Sequence, residues 1–238
     1  MREMNKSKVR QFLNRWLPYW CVLPLASILL VNAVAYFGTQ IFTKGRPHVD
    51  LTTDFDRAVP LIPGFIWIYL LAFAFWGANY ILAAQRGKMT YYRFVATDLS
   101  VHLCCLLIFL ILPTTNVRPE ILGNSLSERA LRWLYATDGG SMPTNLLPSI
   151  HCYVSWLCYR GIKGSTHIPV WYQRFSLVFA ILVVISTQVL KQHYIVDAIA
   201  ALALVEFFWW FYRKGERVLP LRRFFEALDK KYGRSDPA

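Results

Sequence analysis

His193 and Asp197 are the residue pair whose types and spacing point most directly to chemistry. Residues four apart share a face of a helix, so the Asp197 carboxylate can accept a hydrogen bond from one ring nitrogen of His193. Such a bond fixes the tautomer of the ring and leaves its other nitrogen available as a base or a nucleophile. The spacing therefore predicts an activated histidine.

A second group of polar residues favours phosphate binding. Ser149 follows a proline at the start of an apolar segment, where it is expected to cap a helix, and helix N-termini attract phosphate. Arg118 offers a planar fork of donors, and Lys191 offers a second cation. With His151 as a second histidine, these residues supply charge stabilisation, a nucleophile and an acid for the leaving group. Those are the parts that phosphoryl transfer requires.

Six apolar stretches are available to hold these residues at a membrane, because about 20 helical residues cross the hydrocarbon core. The predicted spans are Trp16–Phe42, Leu61–Ala84, Phe94–Pro113, Pro148–Ile162, Phe175–Leu190 and Tyr194–Tyr212. The fourth is short for a full crossing unless the bilayer thins or its ends snorkel. The first is too long for the apolar core of a cleaved signal peptide, so it is expected to stay in the membrane. The sequence thus predicts an all-α polytopic membrane protein, a bundle of six transmembrane helices.

The distribution of basic residues predicts the orientation of this bundle. Six spans put both termini on one side, and that side would carry 19 Lys and Arg residues against 7 on the other. Because basic loops stay inside, both termini are expected to be cytoplasmic and the polar residues above to face outward. The chain then divides into a basic arm at 1–15, a membrane domain at 16–212 and a basic tail at 213–238 that lies on the membrane.

The long outer connection between the third and fourth spans is expected to contain an interfacial helix. Ser125 and Glu128 match a capping box, and the apolar residues that follow share one face until Thr137. Two glycines after Thr137 supply the stop. We therefore predict a helix over Leu126–Thr137 that lies on the outer surface.

The composition excludes several other classes of protein. Of the 238 residues, 55% are hydrophobic and 17% are charged, whereas a soluble domain has about 25% charged residues. The net charge of +12 is not accompanied by a nucleic-acid-binding motif, so membrane lipids with anionic headgroups are the expected partners and nucleic acid is not. The five cysteines are odd in number and lack metal-ligand spacing, so neither a disulfide framework nor a zinc site is predicted.

In combination, these motifs resemble the type 2 phosphatidic acid phosphatase superfamily of membrane lipid phosphatases and phosphotransferases. The family pattern is a lysine separated by six residues from Arg-Pro, then Pro-Ser-Gly-His, then Ser-Arg followed by a histidine and an aspartate. The matching residues are Arg118-Pro119, Pro148-Ser149-Ile150-His151, and Ser186-Thr187 leading to His193 and Asp197. Ile111, Ile150 and Thr187 replace the family's lysine, glycine and second arginine. Lys191, four residues after Thr187, could bring its ammonium to the position of that missing arginine.

The resemblance implies a role for each matching residue. His193 would attack phosphorus to form a phosphohistidine, and Asp197 would orient it. His151 would protonate the leaving oxygen and then activate the acceptor. The residues that would hold the phosphate are Arg118, Lys191 and Ser149. The implied substrate is a lipid phosphate or phospholipid, and no metal or other cofactor is implied.

Several functions remain open at this point. Hydrolysis is favoured because it needs no second binding site, yet Lys191-Gln192-His193-Tyr194 also resembles the inositol phosphorylceramide and sphingomyelin synthases, which transfer a phospho-headgroup to an alcohol. The ionisable residues Asp98, His102 and Glu206 would instead suit a proton or ion transporter. A catalytically inactive, lipid-binding family member is the third alternative, because Ile111 replaces a family lysine.

Overall fold

The chain folds into helices joined by connections of different lengths. The computed structural model describes residues 17–140 and 142–232, so the predicted arm at 1–15 lies outside the described residues. The helices are α1 (Tyr19–Thr43), α2 (Asp54–Ala58), α3 (Ile66–Ala84), α4 (Lys88–Ile111), α5 (Leu126–Thr137), α6 (Ile150–Ile162), α7 (Val170–Val189), α8 (Ile195–Phe211) and α9 (Leu219–Lys231). Two short strands, β1 (Val49–Asp50) and β2 (Thr114–Thr115), pair in parallel.

Among the described residues, four helices are long and apolar enough to cross a membrane: α1, α3 with its preceding 3-10 turn, α4 and α7. Helices α6 and α8 occupy the predicted fourth and sixth spans but have only 13 and 17 residues. The predicted class, an all-α polytopic membrane protein, is therefore confirmed, while a count of six full spans stays a prediction.

The outer surface of the bundle is apolar. Large side chains on α1, including Leu30, Ile41 and Phe42, are more than half exposed, and so are Leu71 and Phe73 on α3. A soluble protein rarely exposes a continuous apolar surface of this kind. The exposed faces of these helices suit contact with lipid.

Helix α6 is the centre of the bundle, since it packs against α3, α4, α7 and α8. Near its end, Gly161 lies so close to the ring of Phe94 that an added Cβ would meet a ring carbon at 2.7 Å. This contact requires glycine and allows α6 and α4 to approach closely. Because α6 is central, its two ends are firmly positioned.

The connection between α4 and α6 contains the predicted helix, α5, with the predicted bounds. Ser125 Oγ accepts the N–H of Glu128, and the Glu128 carboxylate accepts the N–H of Ser125, which completes the capping box. The apolar face of α5, with Leu131 and Tyr135, packs onto the start of α3 around Ile66. Helix α5 thus covers one end of the bundle.

The tail contains a helix, α9, that is part of the bundle. Phe225 of α9 is buried, and its ring stacks on that of Tyr92 in α4 with centroids 6.2 Å apart. The sequence predicted only a polar extension on the membrane. The structure differs because the apolar face of α9 finds a partner on α4.

Candidate active site

The two predicted histidines line the same cavity, which has a volume of about 260 Å³. His151 lies in the first turn of α6, and His193 lies in the turn that precedes α8. Their ring centroids are 6.3 Å apart. One phosphate group in this cavity could therefore contact both rings.

His193 is held by two acceptors on the same ring nitrogen. Its Nδ1 lies 3.0 Å from the carbonyl oxygen of Leu146 and 3.2 Å from Oδ2 of Asp197. Both partners only accept hydrogen bonds, so Nδ1 carries the proton and Nε2 keeps a lone pair. The predicted hydrogen bond is present, although α8 begins at Ile195 and His193 is not on the helix. Asp197, in the first turn, reaches back to it.

Asp197 also holds the turn itself. Its Oδ2 accepts the backbone N–H of Tyr194 at 2.9 Å, and its backbone carbonyl accepts the N–H of Ser149 at 3.3 Å. Asp56 Oδ1 accepts the N–H of Ile195 at 2.8 Å. Asp197 is fully buried, so the geometry around His193 is well determined.

His151 is surrounded by aromatic rings. Its ring stacks on that of Tyr69 with centroids 4.2 Å apart, and the Tyr69 hydroxyl lies 3.3 Å from Nδ1. Phe73 and Trp76 pack beside it. Its Nε2 is buried and has no hydrogen-bond partner among the described residues. A buried ring nitrogen without a partner is costly unless a ligand uses it.

Ser149 is the cap of α6, as expected. Its Oγ accepts the N–H of Cys152 at 3.3 Å, and the residue is fully buried. The cavity is lined by the next two residues, Ile150 and His151. In this arrangement Ser149 acts on the site through the position that it gives to the N-terminus of α6.

Arg118 is buried beside the cavity. Its guanidinium binds Asp138 and does not point freely into the cavity. Nη2 donates to Asp138 Oδ2 at 2.6 Å and to Gln192 Oε1 at 2.7 Å, and Nη1 donates to the carbonyl oxygens of Asp138 and Gly140. The hydroxyl of Tyr36 donates to the other carboxylate oxygen of Asp138. Asp138 and Gln192 both line the cavity. A carboxylate thus occupies the donors that sequence reasoning assigned to phosphate.

The charge on Asp138 is favoured by this setting. Burial by itself would raise the pKa of the Asp138 carboxyl, but the hydrogen bond from Tyr36 and the charge of Arg118 outweigh it and lower the pKa below its ordinary value. Asp138 is therefore an anion at the edge of the cavity. Tyr36 lies in a π-helical segment of α1, Val34–Gly38, a distortion often found at functional sites.

The structure does not bring the ammonium of Lys191 into the cavity with the histidines. Its Nζ donates to the carbonyl oxygens of Asp56, at 2.6 Å, and Val59. The expected approach to the position of Thr187 assumed a continuous helix, but α7 ends at Val189 and Lys191 has a left-handed backbone with φ of 53°. Burial lowers the pKa of Lys191, and the nearby Asp56 opposes that shift.

Sequence reasoning missed several residues of the site, among them Asp56, Tyr69, Asp138 and Gln192. Each comes into the site through contacts between distant parts of the chain. Only Gln192 had a sequence signal, because it lies between two residues that had already been singled out. Asp138 was hidden because a single aspartate at the end of a surface helix is an ordinary feature.

The three residues of the transporter alternative do not form one cluster: Asp98 and His102 contact each other, whereas Glu206 has other partners. Asp98 and His102 are buried in α4, with His102 Nδ1 2.6 Å from Asp98 Oδ1. The hydroxyls of Tyr80 and Tyr153 contact Asp98, and Tyr153 also contacts His102. Glu206 instead accepts from Trp156 and pairs with Arg160.

Fold and site together define an integral membrane protein of apolar helices, with two histidines that line one cavity and a buried arginine beside it. The chain belongs to the PAP2 superfamily, whose family model matches residues 60–211, more than half of its length. Membership supports a phosphatase or phosphotransferase in general. Neither the comparison with curated proteins nor that with solved structures found a significant match.

Proposed function

We propose that the protein is a membrane lipid phosphatase that hydrolyses a lipid phosphomonoester or diphosphate through a phosphohistidine. One observation carries the proposal: the cavity is lined both by His193, whose Nε2 keeps a lone pair, and by His151, whose buried Nε2 lacks a partner among the described residues. A nucleophile and a general acid on either side of one phosphate are what an in-line displacement needs.

The proposed reaction has two steps. In the first, Nε2 of His193 attacks phosphorus, the bond from phosphorus to the lipid oxygen breaks, and His151, which the charge of the bound phosphate keeps protonated, gives that oxygen its proton. In the second, His151 takes a proton from water, the resulting hydroxide attacks phosphorus, and the N–P bond breaks to release phosphate. Asp197 stabilises the positive charge that develops on His193 in the first step and keeps Nδ1 protonated.

Arg118 is proposed to stabilise the phosphate oxygens. In the absence of substrate its N–H groups donate to Asp138, and in the complex they would donate to the phosphate instead. The Arg118 fork binds two anionic oxygens equally well on a carboxylate or on a phosphate. Because Asp138 is partly exposed and lines the cavity, an entering phosphate can displace it. Substrate binding would then replace the Asp138 carboxylate on Arg118 by the phosphate in a single step.

The walls of the cavity suit a lipid. Phe37 and Phe73 line it and are each more than half exposed on the apolar surface of the bundle, so an acyl or prenyl chain could reach the cavity from the membrane. From the distribution of basic residues we further propose that the termini are cytoplasmic and that the site faces the extracytoplasmic side, in the cell membrane.

The test is a hydrolysis assay on the full-length purified protein with a panel of labelled lipid phosphates and diphosphates. We expect release of inorganic phosphate, no effect of a chelator, and loss of turnover in His193→Ala. His167→Ala is the matched control, because His167 lies in an exposed connection, and it should retain full activity. Turnover that survives in His193→Ala, or that a chelator abolishes, would exclude the mechanism.

A second candidate function, transfer of a phospho-headgroup to an alcohol, is favoured by an adjoining cavity. This cavity of about 290 Å³ shares Tyr36, Phe37 and Asp138 with the first and also contains Lys44 and His48. It offers space for an acceptor next to the phosphorus. If product analysis in the presence of alcohols finds a new phosphodiester and no free phosphate, the protein is a transferase and not a phosphatase.

A further inference from the structure

A second polar cavity lies at the other end of the bundle. It has a volume of about 290 Å³ and is enclosed by the start of α4, the end of α6, the end of α8 and residues 213–218. His151 and Arg160 lie nine residues apart on α6, so the two cavities are separated by about 14 Å along that helix. Nothing in the proposed phosphatase reaction uses this cavity.

Five cationic residues line this cavity: Arg86, Arg93, Arg160, Lys163 and Arg213. The carboxylate of Glu206 pairs with Arg160 at 3.1 Å, and none of the described residues that line the cavity is acidic. So many like charges around a small volume repel one another unless an anion lies between them. The charge balance therefore points to an anionic ligand.

Three of these cations, Arg86, Arg93 and Arg160, also make contacts within the protein. Arg86 donates to the carbonyl oxygens of Gly161 and Lys163 at the end of α6. Arg93 donates to the carbonyl oxygen of Trp209, and its guanidinium lies 4.2 Å from the centre of that ring. These contacts fix the walls of the cavity in advance of binding.

The other two cations are available to a ligand. Among the residues that the structure describes, the side chains of Lys163 and Arg213 have no hydrogen-bond acceptor; they lie over the rings of Tyr159 and Trp210, at 5.4 Å and 5.1 Å. Both residues are exposed. Ammonium and guanidinium groups are the usual partners of phosphate oxygens.

We propose that this cavity is a binding site for a phosphate-bearing anion, in the form of the headgroup of an anionic phospholipid. The cations would hold the phosphate, while Met89 and Val218 in the same lining offer apolar contact to the part of a lipid next to the headgroup. The site would lie in the leaflet opposite the proposed active site, the one that the basic residues identify as cytoplasmic. It is independent of the two histidines.

Calorimetric titration of the full-length protein in a neutral detergent tests this site. The probes are dihexanoyl phosphatidylglycerol, glycerol phosphate and inorganic phosphate, with dihexanoyl phosphatidylcholine as the net-neutral lipid. All titrations use the His193→Ala background, so that turnover cannot contribute heat. We expect saturable binding of phosphatidylglycerol, with a Kd that rises at least tenfold in Lys163→Gln/Arg213→Gln. If glycerol phosphate and inorganic phosphate compete, the phosphate group alone suffices; if they do not, the lipid is required.

A charge-matched control separates the cavity from general surface charge. Lys214→Gln/Arg223→Gln also removes two exposed cations from the same end of the molecule, outside the cavity lining, and should leave the Kd within twofold. Equal losses in the two double variants, equal binding of phosphatidylcholine, or no saturable binding would overturn the proposal. Should the first double variant fail to fold, Lys163→Gln and Arg213→Gln are titrated singly, and each must weaken binding more than either control substitution.

Discussion

Replacing Asp197 by asparagine separates the charge of this residue from its geometry. Oδ2 accepts hydrogen bonds from His193 Nδ1 and from the backbone N–H of Tyr194, whereas Oδ1 is buried without a partner among the described residues. The backbone N–H can only donate, so the asparagine is forced to turn its oxygen toward Tyr194 and His193. The carbonyl of Leu146 remains as a second acceptor for Nδ1–H. The variant is therefore expected to keep the tautomer and orientation of the ring and to lose only the negative charge.

The size of the effect follows from that charge. Two unit charges about 4 Å apart interact by about 4 kcal/mol at an effective dielectric constant of about 20. About 1.4 kcal/mol corresponds to a tenfold change in rate, so full development of charge on His193 would make the loss about a thousandfold. Because the positive charge on His193 develops only partly in the transition state, we expect kcat of Asp197→Asn to fall about 100- to 1,000-fold.

Asp197→Ala is the companion variant, because it removes the acceptor as well as the charge. The buried N–H of Tyr194 is then left unpaired, at a cost of about 1–3 kcal/mol in the free energy of unfolding, and His193 is held by Leu146 alone. We expect kcat at least tenfold below that of Asp197→Asn. Initial rates of phosphate release from phosphatidic acid in mixed micelles, with thermal unfolding as a folding control, measure both effects. An Asp197→Asn protein that is folded but as inactive as His193→Ala would refute the reasoning about the tautomer, and one with unchanged kcat would refute the role of the charge.

Three further predictions concern residues around the site and the orientation of the chain. Asp138→Asn should lower KM about fivefold. The substrate must displace the hydrogen bond between Arg118 and residue 138, and that bond is about 1 kcal/mol stronger with a charged carboxylate than with a neutral amide. A higher KM would contradict the displacement of Asp138 by the phosphate. Lys191→Gln should lower the melting temperature while kcat falls less than about tenfold, whereas a direct phosphate ligand would cost about 100-fold or more. A cysteine introduced at Asn124 should react with an impermeant maleimide added outside the cell and one at Lys88 should not, and the reverse pattern would invert the proposed orientation.

Much of the fold was predictable because its signals are local. The capping box at Ser125 and the apolar periodicity after it defined α5 to the residue, since both depend only on neighbours along the chain. The Ser149 cap is equally local, and the spacing of His193 and Asp197 indicated a contact that the structure contains.

The rest was decided by contacts between distant segments, and there local patterns carry no information. Whether Lys191 faces the histidines depends on where α7 ends and on two carbonyl groups more than 130 residues away in the sequence. The pairing of Arg118 with Asp138 requires α5 to fold back over the bundle, and a lone aspartate does not reveal its partner. The sequence by itself thus determined a helical membrane protein with two histidines suited to phosphate chemistry. Only the tertiary structure decided which cations face that site, because the direction of a long side chain depends on acceptors that packing brings near it.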